Sequence, residues 1–281
     1  MPPEPREVPT GLHLVATPIG NLRDITLRAL DVLAGVEEIF AEDTRVTAKL
    51  LAAYGIKTRL GRYDEHSAAK ARPRILERLA EGARLAVVSD AGTPLISDPG
   101  YRLVVEAVAA GVPVWPLPGP SAVLAALAVA GLPTDRFLFA GFAPPRSSAR
   151  RRFLKDLAAV RSTLVLFETG PRLAESLADM AAVFGPRPAA VARELTKLHE
   201  TVVRGSLDKL AGNPALAAPK GEIVVVIGPP LETAADPAAA EAALLEALQR
   251  LKPAAAAAEV AHLFGVPRRA LYARALVLRG Q

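Results

Sequence analysis

Three loops rich in glycine, proline, serine and threonine are the best candidates for ligand chemistry in this sequence. They cover residues 17–21, 90–100 and 118–122, and each follows an apolar run that predicts a buried strand. Glycine and proline shape loops whose backbone N–H and C=O groups can face a ligand. One such loop is more often an ordinary turn, but three in succession favour a ligand site.

Several titratable side chains close to these loops could take up a proton or stabilise negative charge during a reaction. The candidates for catalysis are Glu42, Asp43, His66 and Lys197. Three of them also have a structural interpretation, because Asp43 can cap a helix, His66 can lie on the surface and Lys197 can form surface ion pairs. The sequence therefore identifies no single general base.

Motifs of several common enzyme classes are absent from the sequence. There is no GxGxxG after the first strand, and no GxxxxGK[ST], HExxH, EF-hand loop or GxSxG. The four histidines are far apart without metal-ligand spacing, so we expect no metal site. The lack of cysteine excludes thiolate chemistry and a disulfide framework.

The first 130 residues alternate between strand-like and helix-like segments. Strands are predicted at 12–16, 36–41, 58–63, 84–89 and 112–115. Helices are predicted at 26–33, 44–54 with Thr44 as a candidate N-cap, 67–81, 101–110 and 121–130. This alternation is typical of a mainly parallel, doubly wound sheet, in which ligands bind beyond the carboxyl ends of the strands.

The pattern changes after a predicted linker at 131–136. Further strands are predicted at 137–141, 163–168, 189–193, 201–205 and 222–227. Only two helices lie between them, at 147–160 and 171–184, which indicates a second α/β domain with antiparallel pairs. The remaining residues predict two or three helices, so the expected domains are 1–132, 133–232 and 233–281.

Composition narrows the class of protein. The chain has 281 residues, of which 51% are hydrophobic, and a formal charge of +5. The apolar fraction is too high for a disordered chain, and no run approaches the roughly 18–20 apolar residues of a membrane span. Residues 1–9 lack the apolar core of a signal peptide. We therefore expect a cytoplasmic protein.

Clustered arginines are compatible with RNA binding, because phosphate contacts attract basic side chains. The segment 144–161 is strongly basic, and a helix–turn–helix pattern near the C-terminus has arginines at the start of its second helix. A run of charge is more commonly a solvated basic face, and a simple αα-hairpin explains the C-terminal pattern equally well. The residues predicted to contact RNA are Arg45, Arg146, Arg150, Arg151, Arg152, Arg268 and Arg269.

Several longer motifs carry a resemblance to a known family. The segments VATPIGN (15–21), AEDTR (41–45), SDAGTPLISDPG (89–100), PGPSA (118–122), FETG (167–170), RELTKLHE (193–200) and GEIVVV (221–226) resemble the tetrapyrrole-methylase superfamily of S-adenosylmethionine-dependent methyltransferases. They are most similar to its ribosomal branch, the small-subunit rRNA (cytidine-2′-O)-methyltransferases. The first loop is less glycine-rich than in tetrapyrrole-methylating members, which favours the RNA branch.

The resemblance implies two α/β domains with a cofactor cleft between them and a C-terminal helical, helix-turn-helix-like module that contacts RNA. It also implies S-adenosylmethionine as cofactor, small-subunit rRNA or an assembled 30S-type subunit as substrate, and a homodimer. The alternatives are a tetrapyrrole C-methyltransferase on the same fold and a non-catalytic nucleic-acid-binding protein. By motif position, the residues expected to bind the cofactor are Pro18, Asp90, Ala91, Gly92, Thr93, Ile96, Ser121, Ala122, Phe167, Thr169 and Glu222.

Overall fold

Two five-stranded sheets organise the larger part of the chain. The structure is a computed structural model that describes residues 7–64, 67–96, 100–231 and 237–279. The chain divides into two compact units, Met1–Pro229 and Pro230–Gln281, and both sheets belong to the first. Within the part that the structure describes, no helix has the length and apolar content that a membrane crossing requires.

The first sheet is parallel throughout, in the order β3-β2-β4-β1-β5. Its strands are β1 (Gly11–Val15), β2 (Glu38–Ala41), β3 (Arg59–Arg62), β4 (Arg84–Val88) and β5 (Val114–Leu117). Its helices are α1 (Leu27–Gly35), α2 (Thr44–Ala53), α3 (Ala68–Ala80), α4 (Tyr101–Ala109) and α5 (Ala122–Ala130). The predicted parallel, doubly wound sheet is therefore confirmed.

Side-chain caps fix the starts of three helices next to the loops. Thr26 and Ser121 accept hydrogen bonds from the backbone three residues on, at the N-termini of α1 and α5. At α2 the cap is Asp43, which accepts from the Arg45 N–H at 2.9 Å, and the candidate Thr44 is the first helical residue instead. A carboxylate suits this position because it also faces the positive end of the helix dipole.

The second sheet is mixed, in the order β6-β7-β10-β8-β9. Only β6 and β7 pair in parallel, so the predicted antiparallel pairs are present. Its strands are β6 (Phe137–Phe142), β7 (Thr163–Thr169), β8 (Pro188–Arg193), β9 (Thr201–Ser206) and β10 (Glu222–Ile227). Its helices are α6 (Ser147–Leu157), α7 (Gly170–Phe184) and the unpredicted α8 (Leu207–Ala211).

Helix α5 connects the two sheets through its packing. It follows the last strand of the first sheet, yet Val123, Ala126 and Leu127 pack against the second sheet, in one cluster with Val165 and Val226. An almost wholly apolar helix is suited to such a position. This helix therefore contributes to the core of the second sheet although it precedes the predicted boundary between residues 132 and 133. That boundary stays a prediction.

The C-terminal unit is a three-helix arrangement of α9 (Pro237–Arg250), α10 (Pro253–Phe264) and α11 (Arg268–Arg279). Leu244, Val260, Leu271 and Ala275 are buried in its core. Gly265 ends α10 in the left-handed conformation, with φ of 67°, and allows the turn into α11.

Candidate active site

A cleft of about 370 Å³ is lined by loops of the first sheet and by strands of the second. The loops follow the carboxyl ends of β1, β2, β4 and β5, where a doubly wound sheet binds its ligands. Except for Pro18, all of the residues expected to bind the cofactor line this cleft, namely Asp90, Ala91, Gly92, Thr93, Ile96, Ser121, Ala122, Phe167, Thr169 and Glu222.

Some lining residues were not predicted from the sequence. Ile19 lines the cleft from the first loop, one residue after Pro18. The others belong to elements around the second sheet, namely Val123, Phe142, Ala192, Leu195 and Val224. Strand alternation could have indicated Ala192 and Val224, since both fall on the face that α5 covers.

Reciprocal backbone hydrogen bonds join the first loop to the second. The Thr17 N–H donates to the Gly92 carbonyl at 2.9 Å, and the Gly92 N–H donates to the Thr17 carbonyl at 3.0 Å. The Thr17 hydroxyl also donates to the Ser89 carbonyl at 3.0 Å. Gly92 has a φ of 84°, which side-chain-bearing residues rarely adopt. Its backbone conformation therefore explains why glycine occupies this position.

Aromatic side chains form part of the wall on the second sheet. The Phe167 ring packs edge-on against Phe139 and Phe142, with centroids 4.8 and 5.5 Å apart. Next to it the carboxylate of Glu168 is buried and accepts from the Thr169 N–H at 2.8 Å and from Ser176. This network fixes the end of β7, so the aromatic wall is held in place.

A polar turn after β8 fastens the first loop to the second sheet. The Lys197 ammonium lies 2.7 Å from a Glu194 oxygen and 3.0 Å from a Glu222 oxygen. The Asn21 N–H donates to the Thr196 hydroxyl at 3.2 Å. Glu194 and Thr196 have φ values of 52° and 67°, a costly conformation for residues other than glycine.

These contacts argue against Lys197 as a base. Burial alone lowers the pKa of Lys197, but hydrogen bonds from its ammonium to Glu194 and Glu222 outweigh burial and raise it above the ordinary value. A protonated ammonium has no lone pair to accept a proton. Lys197 is therefore a cross-link between segments, as the ion-pair interpretation of the sequence proposed.

A second cavity, of about 660 Å³, adjoins the cleft at Glu42 and Asp90, which line both. Its other lining residues are Asp43, Thr44, Arg45, Arg62 and Asp64. The Arg45 guanidinium binds both oxygens of Asp43 and lowers the pKa of that carboxyl to about 2. Two of the candidates for catalysis, Glu42 and Asp43, thus lie at this cavity.

The last of the candidates for catalysis is His66. His66 lies outside the described residues. Among the residues that are described, no group of three or more His, Cys, Asp or Glu side chains could hold a metal ion.

The basic helix α6 divides into buried and exposed arginines. Arg150 is fully buried, with Nε 2.7 Å from an Asp179 oxygen and Nη1 3.1 Å from the Pro145 carbonyl. The prediction that Arg150 contacts RNA is therefore wrong for this structure, because its donors are used inside the protein. Arg151 pairs with the same aspartate from the exposed side, and Arg146 and Arg152 are exposed.

Two arginines at the start of α11 are exposed in the C-terminal unit. Arg268 and Arg269 precede the half-exposed Tyr272 on this helix. Two other arginines of the unit are ion-paired, Arg250 with Glu259 and Arg274 with Glu241. Arg268 donates from Nη2 to the Ala254 carbonyl at 3.5 Å, and both arginines have guanidinium groups exposed to solvent, as the RNA prediction requires.

Sequence comparisons agree with this geometry. The profile of the Tetrapyrrole (Corrin/Porphyrin) Methylases matches residues 11–211, and that of the RsmI C-terminal HTH domain matches residues 234–279. A protein of Mesorhizobium japonicum named Ribosomal RNA small subunit methyltransferase I is 50% identical, covering 98% of this chain and 94% of its own. The protein of the same name in Escherichia coli O157:H7 is 46% identical to this chain, with 96% of each chain covered.

This chain belongs to the tetrapyrrole methylase family. Within it, the chain belongs with the ribosomal RNA small subunit methyltransferases I, because the similarity extends through both matched regions. The resemblance of the sequence motifs is thereby confirmed. The protein is a methyltransferase of this family, whose methyl donor is S-adenosylmethionine.

Solved structures support the same fold. Uroporphyrin-III-C-methyltransferase from Thermus thermophilus gives a TM-score of 0.55 at 24% identity, over 77% of this chain and 93% of that one. Diphthine synthase gives a TM-score of 0.60 at 17% identity, over 77% of this chain and 89% of that one. The predicted class of two α/β sheets with a C-terminal helical module is confirmed.

The cleft has the properties that S-adenosylmethionine requires. Its volume lies in the usual range for small-molecule sites. The aromatic wall at Phe167 suits a planar base, and the carboxylates of Asp90 and Glu222 suit hydroxyl groups and the positive sulfonium. When bound there, the cofactor supplies an electrophilic methyl group.

Proposed function

We propose that this protein transfers a methyl group from S-adenosylmethionine to the ribose 2′-hydroxyl of a cytidine in small-subunit (16S) ribosomal RNA. The observation that carries the proposal is the polar cavity that adjoins the cofactor cleft at Glu42 and Asp90. A transferase needs one place for the donor and another for the acceptor, with a shared boundary where the two can meet. The names of the similar proteins indicate small-subunit rRNA as the acceptor.

The geometry meets the main physical requirement of methyl transfer. The attacking oxygen must lie in line with the methyl group at about 3–3.5 Å, so positioning supplies much of the rate. The bridge between Thr17 and Gly92 and the hydrogen bond from Asn21 to Thr196 hold the loops that would fix the donor. A ribose hydroxyl is a poor nucleophile, and a nearby carboxylate that accepts its proton would assist attack.

By motif position, separate parts of the cleft would hold separate parts of the donor. Residues Ala91, Gly92, Thr93 and Ile96 would hold its methionine and ribose. Ser121 and Ala122 would lie near its sulfonium or adenine, and Phe167 and Thr169 beside the adenine.

RNA would be bound by exposed arginines of both compact units. Arg45, Arg146, Arg151 and Arg152 are exposed on the first unit. Arg268 and Arg269 would contribute phosphate contacts from the second, as helix-turn-helix modules contact nucleic acid. We propose a homodimer acting in the cytoplasm on the rRNA or on an assembled 30S-type subunit.

A tetrapyrrole C-methyltransferase is the second candidate function. The similarity in fold to uroporphyrin-III-C-methyltransferase supports it. That reaction predicts no need for the C-terminal unit, whereas the relatives of higher identity share this region. A purified protein that methylated a porphyrinogen but not rRNA would establish this alternative.

The test is methylation of undermodified small subunits and naked 16S rRNA with labelled S-adenosylmethionine, followed by mapping of the modified nucleotide. We expect one cytidine that becomes resistant to alkaline cleavage on its 3′ side, because the 2′-hydroxyl is blocked. Label on a base, or on another nucleotide, contradicts the proposal. A protein that binds rRNA but shows no micromolar cofactor binding by calorimetry would instead be a non-catalytic binding protein.

Deletion of residues 235–281 tests the role of the C-terminal unit. The two sheets form a separate compact unit, so we expect the truncated protein to bind S-adenosylmethionine as the full chain does. Methylation of the small subunit should fall at least about tenfold through weaker RNA binding. If methylation stays intact, the C-terminal unit is not a substrate-binding module.

A further inference from the structure

Asp90 occupies the boundary between the cofactor cleft and the second cavity. It follows β4 at the carboxyl edge of the first sheet and lines both spaces together with Glu42. A group that reaches from the second cavity into the cleft therefore passes these two carboxylates. This is the position from which a protein group can act on an acceptor hydroxyl next to the methyl donor.

One oxygen of Asp90 is fixed by the backbone. The Asp43 N–H donates to Asp90 Oδ1 at 3.0 Å, which ties the loop after β4 to the loop after β2. Among the described residues, no side chain or backbone group donates to the second oxygen, Oδ2. Asp90 thus combines a held orientation with an oxygen that retains its acceptor capacity.

We propose that Asp90 is a catalytic residue whose carboxylate accepts the proton of the acceptor ribose hydroxyl during methyl transfer. This inference rests on the proposed function and adds the group that the sequence left unassigned. Oδ1 stays bonded to the Asp43 N–H throughout, and Oδ2 receives the proton.

The step is balanced without a further reactant. The hydroxyl oxygen forms a bond to the methyl carbon while the carbon–sulfur bond breaks, and the bonding pair stays on sulfur. The hydroxyl proton moves to Asp90 and then to water. The positive sulfonium becomes a neutral thioether, and the hydroxyl oxygen becomes part of a neutral ether. The released proton therefore carries the positive charge that the sulfonium loses.

The charge of the second cavity indicates which part of the nucleotide enters it. The lining carries four carboxylates and two guanidiniums, a formal charge of −2. This charge repels a phosphate but suits ribose hydroxyls and an amino-bearing base such as cytosine, which donate to carboxylates. The Arg45 and Arg62 side chains are 86% and 71% exposed, so flanking phosphates can meet them outside.

The other candidates for catalysis are less suited to this step. Both oxygens of Asp43 are occupied by Arg45, and a carboxyl with a pKa of about 2 is a weak proton acceptor. Lys197 retains its own proton. Glu42 lies on the same boundary as Asp90 and is the direct competitor for the role, so it belongs in the test.

Asp90→Asn is the variant that isolates proton transfer. An asparagine Oδ1 can still accept from the Asp43 N–H, so the loop connection is preserved while the negative charge is removed. Glu42→Gln is measured beside it, and Asp135→Asn, an exposed position before β6, serves as the control. Full-length proteins are compared in single-turnover methylation of undermodified subunits, in rRNA affinity, and in S-adenosylmethionine affinity by calorimetry.

For Asp90→Asn we expect single-turnover methylation at saturating S-adenosylmethionine to slow by about 100-fold or more, with rRNA affinity within about threefold of wild type. Asp90 also lines the cofactor cleft, so cofactor affinity is expected to fall, and saturating cofactor removes that effect from the measured rate. Its remaining rate should rise about tenfold per pH unit between roughly pH 6 and 8 as hydroxide takes the proton, while the wild-type rate changes less. A residue with only a structural role would not alter this pH profile.

Three results overturn the proposal. The first is an Asp90→Asn rate close to that of Asp135→Asn. The second is an Asp90→Asn rate that returns to the wild-type value at saturating S-adenosylmethionine, and the third is a large loss with a changed pH profile in Glu42→Gln alone. If the wild-type protein binds the cofactor but methylates no rRNA, the proposed function itself fails, and the inference fails with it.

Discussion

Thr17 and Gly92 exchange both of their backbone hydrogen bonds although 75 residues separate them in the chain. The exchange forms a single antiparallel bridge between the loop after β1 and the loop after β4, at the carboxyl edge of a parallel sheet. It holds two loops of the cofactor cleft in a fixed relation. Several properties of the site depend on this bridge and on the contacts around it.

Gly92→Val is expected to weaken S-adenosylmethionine binding by at least about tenfold, because a β-branched residue is strained at a φ of 84°. The new Cβ would also lie 3.4 Å from a methyl group of Ile19, inside the cleft. Gly82→Val is the matched control, since Gly82 has a φ of 88° and no neighbouring atoms within 4 Å. Calorimetry should show reduced affinity for the first variant only. Equal affinities would mean that the cleft is wrongly placed.

Lys197→Met is expected to lower cofactor affinity about threefold to tenfold, while the rate at saturating cofactor stays within about twofold. The substitution removes the ion pairs with Glu194 and Glu222, which hold the Lys197 side chain against Gly20 of the first loop. Titration calorimetry and saturation kinetics separate the two effects, with the exposed Lys209→Met as control. A collapse in rate with unchanged affinity would show that Lys197 acts in the chemical step.

Arg150→Met is expected to reduce the free energy of unfolding by about 3 kcal/mol, because it leaves the buried carboxylate of Asp179 with fewer partners. Arg152→Met should change stability by less than about 0.5 kcal/mol. It should instead reduce the slope of log affinity for rRNA against log salt concentration by roughly one unit. Urea unfolding and salt-dependent RNA binding test the pair. Unchanged stability in Arg150→Met would contradict the structural role given to this arginine.

His13 is expected to make the protein less stable as the pH falls. Burial lowers the pKa of His13, and the hydrogen bond of its Nε2 with the Pro9 carbonyl only partly offsets this. The folded state therefore favours the neutral imidazole. The stability that His13 contributes is complete above the unfolded pKa of about 6.5 and is lost as the pH falls through the lower pKa of the folded state.

The corresponding measurement is the urea midpoint between about pH 5 and 8, where one such group contributes at most about 1.4 kcal/mol per pH unit. His13→Phe should flatten the dependence, since phenylalanine can still pack against Trp115 but does not titrate. The exposed His262→Gln should retain the wild-type profile. Identical profiles for wild type and His13→Phe would show that another group is responsible.

The sequence by itself determined the alternation of elements and the location of the cleft. Strand and helix periodicities are local, so β1 to β5 and α1 to α5 were predicted to within a few residues. The loops at 17–21, 90–100 and 118–122 follow because a parallel sheet brings the carboxyl ends of its strands to one edge. The family motifs could be recognised from the sequence because each of them is a continuous segment.

The tertiary structure decided which partner each charged side chain meets. Arg150 and Arg152 look alike in the sequence, but only the packing of α6 on α7 buries the first against Asp179. Asp90 and Asp43 meet because neighbouring strands end side by side, 47 residues apart in the chain. Such pairings depend on distances between elements, and local patterns of residue type do not contain those distances.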